Sequence, residues 1–326
     1  MPSVEEYHIG WICALPEEFA AAQGMLDEEY DPIGDQDLQD DNNYVLGRVH
    51  KHNVVLVCLP AGVMGNNPAA AVAKDLVRTF PAIRFGLMVG IGGGIPNLSK
   101  KIDIRLGDVV VSQPDNTWGG VVQYDKGKRL SKDDFKLKGH LNKPPNVLLT
   151  ALQTLKAKHD LKDSLMSEHI ATMLKDNPKM RKTRYEFPGA DCDIFHCEIC
   201  AKPIGASSQG DNGCGHQRRD VREDDTPHIH YGIIASGNSV IKDVKERQRL
   251  QDQFEALCVE MEAAGLLDVF PCLVIRGICD YADSYKNDDW QKYAAVTAAA
   301  FAKELLSYVL ANRVNHAKPI QEVLGR

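Results

Sequence analysis

The stretch CVEMEAAGLLDVFPCLVIRGICDYAD, residues 258–283, decides how this chain is read. It sets three carboxylates, Glu260, Glu262 and Asp280, close to the ends of predicted elements. Between them runs a buried helix-like segment (Ala263, Ala264, Leu266, Leu267, Val269), then an apolar strand, Leu273-Val274-Ile275. In an open α/β sheet, ligands bind where strands end and loops begin. An acid just past a buried strand, with two more at a helix start, makes a candidate polar site. A helix cap flanked by surface acids accounts for the same residues equally well when the stretch is read alone.

Outward from this stretch, strands alternate with helices. Residues 7–14 (YHIGWICA) read as a buried strand, and Pro16 suits the helix start that follows. Glu17 and Glu18 fall in its first turn, where the helix dipole favours acids. Residues 27–43 are polar and read as a loop, and 44–50 and 53–59 read as a strand pair. Residues 68–80 place Val72, Ala73, Leu76, Val77 and Phe80 on one helical face. FGLMVGI (85–91) is an apolar strand of the buried parallel kind, ending in Gly92-Gly93-Gly94. Backbone passes close to a ligand or another element there. A dinucleotide fingerprint is rejected, because Pro96 and a polar stretch follow where a helix is required.

Residues 107–113 and 119–124 are further strands, and 147–159 and 165–174 are helices. Residues 231–236 resume the sheet, 240–254 form a charged helix, and 289–311 close the chain with a long helix rich in Ala and Leu. The alternation predicts a three-layer α/β/α domain with a central, largely parallel mixed sheet. One domain spans 1–312, with an inserted polar segment at about 175–227 and a polar tail over 313–326.

Composition narrows the function. Apolar residues make up 44% of the 326, but no apolar run is long enough to span a bilayer. The N-terminus lacks the basic start and apolar core of a secretory signal. A net charge of −7 and a pI near 5.9 argue against nucleic acid as partner. Cys13, Cys58, Cys258, Cys272 and Cys279 sit in apolar contexts and read as small buried hydrophobes of a reducing, cytoplasmic compartment.

Inside the insertion, Cys197 and Cys200 stand in a CxxC pair and Cys214 and His216 follow in CGH. This spacing fits a tetrahedral structural zinc, with Cys192 or His196 as substitutes. A disulfide or free thiols fit it too. Lys126, Lys128 and Arg129, and Arg181, Lys182 and Arg184, form basic clusters. They read as solvated faces or as a grip on a 5′-phosphate chain.

Six motifs now stand in one order: IGWICALPEEF (9–19), VGIGGGIP (89–96), LGDVVVS (106–112), ASGNSVIKD (235–243), VEMEAAG (259–265) and RGICDYAD (276–283). In that order they resemble the nucleoside phosphorylase and nucleosidase superfamily over nearly the whole chain, excluding the insertion. The catalytic motifs resemble methylthioadenosine/S-adenosylhomocysteine nucleosidase. The whole is similar to a fungal version often found at the start of multidomain immune-receptor-like proteins.

The resemblance implies roles. Asp280 matches the acid that hydrogen-bonds purine N7 and protonates the leaving base. Glu262 matches the carboxylate that holds the ribose hydroxyls and faces the developing positive charge. Met261 packs on the sugar. Glu18 matches the carboxylate that orients the attacking water. Ser239 and Val240 align with the lining of the base pocket, and Gly92 and Gly93 let backbone approach the ligand. It also implies a homo-oligomer, and catalysis without a cofactor.

Two departures matter. The loop after the first strand reads CALPEE, with acids where phosphorylases carry glycine and arginine to bind phosphate. Glu17 and Glu18 repel an anionic nucleophile but not water. The expected reaction is therefore hydrolysis of a purine nucleoside to base and ribose. The alternatives are phosphorolysis, action on nucleotides such as AMP or ATP, and a catalytically silent sensing or oligomerisation module. Second, Cys279 stands where the nucleosidase usually has serine, which leaves base preference open. Glu260 reads as a structural acid paired with Arg276, and Asp283 as a loop cap. Asp103 and Asp108 read as turn residues, and Tyr185, Phe187 and His196 as packing.

Overall fold

The computed structural model describes residues 2–34, 36–129, 135–196, 203–204, 219–323 and 325. In chain order the strands are β1 (Ile9–Cys13), β2 (Glu28–Tyr30), β3 (Tyr44–Val49), β4 (His52–Cys58), β5 (Phe85–Gly94), β6 (Val109–Ser112), β7 (Val121–Gln123), β8 (Gly127–Arg129), β9 (Phe135–Leu137), β10 (Phe195–His196), β11 (Pro203–Ile204), β12 (Ile229–Ser236), β13 (Ala256–Glu260) and β14 (Cys272–Asp280). The helices are α1 (Pro16–Gly24), α2 (Asn66–Thr79), α3 (Asn146–His159), α4 (Met166–Asp176), α5 (Pro178–Lys182), α6 (Val244–Phe254), α7 (Ala263–Leu266), α8 (Gln291–Tyr308), α9 (Ala311–His316) and α10 (Ile320–Val323).

The main sheet runs β13-β12-β6-β14-β5-β1-β4-β3-β2, with β7 beside β12. β5 lies parallel to both β1 and β14, pairing Trp11 with Leu87 and Val274 with Met88. β14 is antiparallel to β6. The far end of β5 also pairs antiparallel with β13, Val259 against Gly93 and Cys258 against Gly94. That last pairing closes β5, β14, β6, β12 and β13 into a ring and gathers the C-terminal ends of β5, β13 and β14 at one rim.

Alternating side chains sort into two cores, as the period of a strand requires. Trp11, Leu87, Leu273 and Ile275 face one layer with α1, α3, α4 and the alanine-rich α8. Ile12, Met88, Cys272 and Val274 face the other, with α2 and α7. The three-layer α/β/α architecture with a mixed sheet follows directly.

Several local expectations change. The glycines after Ile91 continue β5 instead of ending it, because β13 and β14 supply ladder partners. β13 itself has no signal beyond five residues wedged between a charged helix and a short one. The loop at 27–43 contains the short edge strand β2 against β3. Helix α6 starts at Val244, not 240, because Asp243 accepts the Lys245 amide as its cap at 2.9 Å.

The polar tail expected over 313–326 is anchored to the domain in its described part, 313–323. Val314 and Ile320 are buried, and the Ile320 amide donates to Ile83 O at 2.9 Å. Two apolar side chains in a polar stretch suffice. Within the segment read as an insertion, Tyr185 packs into the main core, and Phe187 lies edge-on to Trp290. Cys197, Cys200, Cys214 and His216 lie outside the described residues. Among the described residues no group of His, Cys, Asp or Glu is arranged to hold a metal, and no helix is long and apolar enough to cross a membrane.

Candidate active site

The rim gathers a cavity of about 500 Å³ lined by Glu18, Gly92, Gly93, Ser239, Val240, Met261, Glu262, Cys279 and Asp280, among others. All eight non-metal site residues expected from the sequence therefore border one space, although they come from five separate segments. The volume falls in the range that encloses small molecules.

Glu18 is the third residue of α1, and its side chain folds back over the helix start. Its Oε2 accepts the Ala14 amide at 2.6 Å and the Leu15 amide at 3.0 Å, and its Oε1 accepts the Ile91 amide at 2.8 Å. Burial raises its pKa, opposed by Arg276 and these three amides. One lone-pair site on Oε1 remains for another donor.

Glu262 immediately precedes α7. Its Oε1 accepts the Gly65 amide at 3.2 Å, and its Oε2 lies 3.5 Å from Arg276 Nη2. Burial pushes its pKa up to about 7. Arg276 opposes the shift, and Glu260 and Glu18 reinforce it. Glu260 is the structural acid: it ion-pairs with Arg276 Nη2 and accepts the amides of Glu262 and Ala263, at 3.0 and 2.9 Å.

Asp280 ends β14. Its Oδ1 accepts the Ala282 amide at 2.8 Å, and its Oδ2 meets Cys279 Sγ at 3.0 Å and Lys286 Nζ at 2.9 Å. A side chain at Gly93 would put its Cβ 2.8 Å from Asp280 Oδ1, so glycine is required there. Cys279 thus donates to the acid itself. Asp283 caps its loop as expected, accepting the Tyr285 amide at 2.9 Å.

Ser239 and Val240 are exposed on the loop before α6, where the Ser239 carbonyl accepts the Tyr124 hydroxyl at 3.2 Å. Met64, Ile241 and Lys242 line the same cavity.

The sequence reading paired Arg276 with Glu260 alone, and it missed Lys286. Arg276 is 1% exposed and stands among three carboxylates. Burial disfavours its charge, but Glu260, Glu262 and Glu18 together raise its pKa. An arginine inside the apolar run LVIRGIC was a usable signal, since such residues are buried only when paired. Lys286 carried no comparable local signal. Among the described side chains the basic clusters do not line this cavity: Arg181 pairs with Glu186 and Arg184 with Asp289 at the surface. The cations lining it, among the described residues, are Lys242 and Lys286.

A three-layer α/β/α fold thus gathers carboxylates at the ends of its strands around one cavity of small-molecule size. The chain belongs to the phosphorylase superfamily, whose family model matches residues 8–311. A nucleotide-binding leucine-rich-repeat-like protein of Hyaloscypha variabilis is 46% identical over 306 residues, covering 94% of this chain and 30% of that protein. An ATP nucleosidase of Escherichia coli is 37% identical over 250 residues, covering 75% of this chain and 40% of the relative. The chain thus spans less than half the length of either relative. The solved 5′-methylthioadenosine/S-adenosylhomocysteine nucleosidase of Helicobacter pylori superposes with a TM-score of 0.59 at 18% identity, over 93% of this chain and 98% of that one. At that identity the likeness concerns the fold.

Proposed function

We propose that this chain hydrolyses the N-glycosidic bond of a purine nucleoside or nucleotide, releasing free base. The observation that carries the reading is the convergence of Glu18, Glu262 and Asp280 on one cavity from opposite ends of the sequence. Glu18, fixed by three amides, holds a water through its remaining lone pair and takes its proton. Glu262 sits where it can bind the ribose hydroxyls and stabilise the oxocarbenium-like sugar. Asp280 faces the base and assists its departure. Met261 covers the sugar, and Ser239 and Val240 line the base.

Hydrolysis is favoured over phosphorolysis by charge. Glu18, Glu260 and Glu262 surround the single guanidinium of Arg276, and a phosphate nucleophile would meet net negative charge there. The presence of an ATP nucleosidase among the relatives, and of Lys242 beside the cavity, favours acceptance of 5′-phosphorylated substrates as a second reading.

The test is chromatographic release of base from adenosine, inosine, guanosine, methylthioadenosine, AMP and ATP, with and without inorganic phosphate. Base and free sugar are expected without phosphate, and Asp280→Asn and Glu18→Ala abolish release while the fold survives. Release that requires phosphate and yields ribose 1-phosphate makes the chain a phosphorylase. Silence towards every substrate favours a sensing or oligomerisation module.

A further inference from the structure

Lys286 lines the cavity, yet the reaction just described gives it no task. Its ammonium lies 2.9 Å from Asp280 Oδ2, and its side chain is 24% exposed, so it faces both the acid and solvent. The other partners of Asp280 are Cys279 Sγ on Oδ2 and the Ala282 amide on Oδ1. Lysine, thiol and amide all donate to Asp280. The Asp280–Lys286 pair as a unit carries a proton on the lysine nitrogen, 2.9 Å from the acid that faces the departing base.

We propose that Lys286 supplies the proton that leaves with the base, passing it through Asp280. This rests on the nucleosidase reading and adds a positioning residue to it. As the C1′–N9 bond breaks, its electron pair passes to the purine. The Lys286 ammonium gives its proton to Asp280, which passes it to purine N7. The water oxygen bonds to C1′ and loses its proton to Glu18. Glu18 then releases that proton, and Lys286 regains one from solvent at the cavity mouth. Water has been divided between the sugar hydroxyl and the base N–H. Burial alone works against the ammonium, but Asp280, with smaller help from Cys279 and Asp288, keeps Lys286 protonated before substrate arrives.

The test compares inosine, whose base is a poor leaving group unless it is protonated, with 4-nitrophenyl β-ribofuranoside, whose leaving group departs as the anion. Lys286→Met removes the charge and the proton. Lys286→Arg keeps the charge but cannot release its proton. Both variants are expected to lower kcat on inosine by ~10²–10³-fold, the usual scale of general acid catalysis, with KM little changed. Both are expected to cleave the nitrophenyl glycoside at close to the wild-type rate, which also reports an intact fold. Wild-type kcat on inosine in Lys286→Arg would show that charge alone matters and overturn the idea. So would an equal loss on both substrates, or a wild type that releases purine but leaves the nitrophenyl glycoside uncut. If the wild type releases no purine from any nucleoside, the nucleosidase reading itself fails, and that outcome is separate from these.

Discussion

Glu18 Oε1 accepts the Ile91 amide at 2.8 Å, which ties the first turn of α1 to the C-terminal half of β5. The bond joins two segments far apart in sequence and holds the carboxylate at the cavity floor. It depends on Gly90, because a Cβ there would overlap Glu18 Oε1 and come within 2.6 Å of Arg276 Nη1. Gly90→Ala is therefore expected to displace both charged groups and lower kcat for base release by about 100-fold, since misplacing a catalytic group by about 1 Å costs rates of that order. Circular dichroism should show the fold retained. Wild-type kinetics in this variant would mean that Glu18 has no catalytic position to lose.

Arg276 is the counter-charge for Glu260, Glu262 and Glu18, and its removal leaves three buried acids to repel one another. Arg276→Met should destabilise the protein by roughly 3–5 kcal/mol, the scale for breaking a buried ion pair by deleting one partner. Urea unfolding measures this directly. Adding Glu260→Gln should recover part of the loss, because the most tightly paired acid is then neutral. If the double variant is no more stable than the single one, the carboxylates are not the source of the strain.

The fold was legible in the sequence because strand and helix periods alternate cleanly, and the sheet's two-faced sorting at Trp11 and Ile12 confirms that pattern. That Glu18, Glu262 and Asp280 meet at one cavity was legible through motif order, not through any local pattern that separates a cavity-lining acid from a cap. Glu260 shows why: it is a cap and an ion-pair partner two residues from Glu262, and composition cannot tell them apart. Lys286 was not legible, because its partner is set by the turn after β14, which Asp283 and the left-handed Ala282 shape. Nor was β13, whose pairing with the glycines of β5 is a tertiary fact.

The pH dependence of activity and of stability should run in opposite directions through Glu262. Its pKa is raised from 4.5 to about 7, by burial first, with Arg276 opposing. Only the ionised form stabilises a ribosyl cation, so kcat/KM should fall as pH drops below about 7. The same shift favours the folded state at low pH: this contribution is full below pH 4.5 and is lost as pH rises through about 7. Glu262→Gln should lower the rate, move the acid limb of the profile and flatten the stability trend over that window. An acid limb that stays in place in this variant assigns it to another group.

Asp108, read from sequence as a turn residue, closes the turn that starts at Arg105 and also anchors a partly buried network away from the cavity. Arg222 binds it in a fork, Nη1 to Oδ1 and Nη2 to Oδ2, both at 2.6 Å. His230 Nε2 lies 2.8 Å from Oδ2, the Arg105 amide donates to Oδ2 at 2.8 Å, and the His228 amide donates to Oδ1 at 2.9 Å. Burial alone would raise its pKa, but Arg222 and His230 outweigh that and hold it down to about 2. A depressed acid stabilises the fold above its unfolded pKa of 3.8, and that stability is lost as pH falls through about 2. Asp108→Asn should therefore cost about 2–3 kcal/mol at neutral pH, below the roughly 3–5 kcal/mol scale of a fully buried pair, leaving the half-buried Arg222 without its carboxylate. It should also flatten the decline in stability between pH 4 and pH 2 (roughly the interval spanned by the two pKa values). Because Asp108 does not line the cavity, kcat for base release should stay within about twofold of wild type at a temperature where the variant is folded. Thermal melts across pH, paired with kinetics on the same samples, separate the two effects. A variant that loses activity without losing stability would tie this network to catalysis instead.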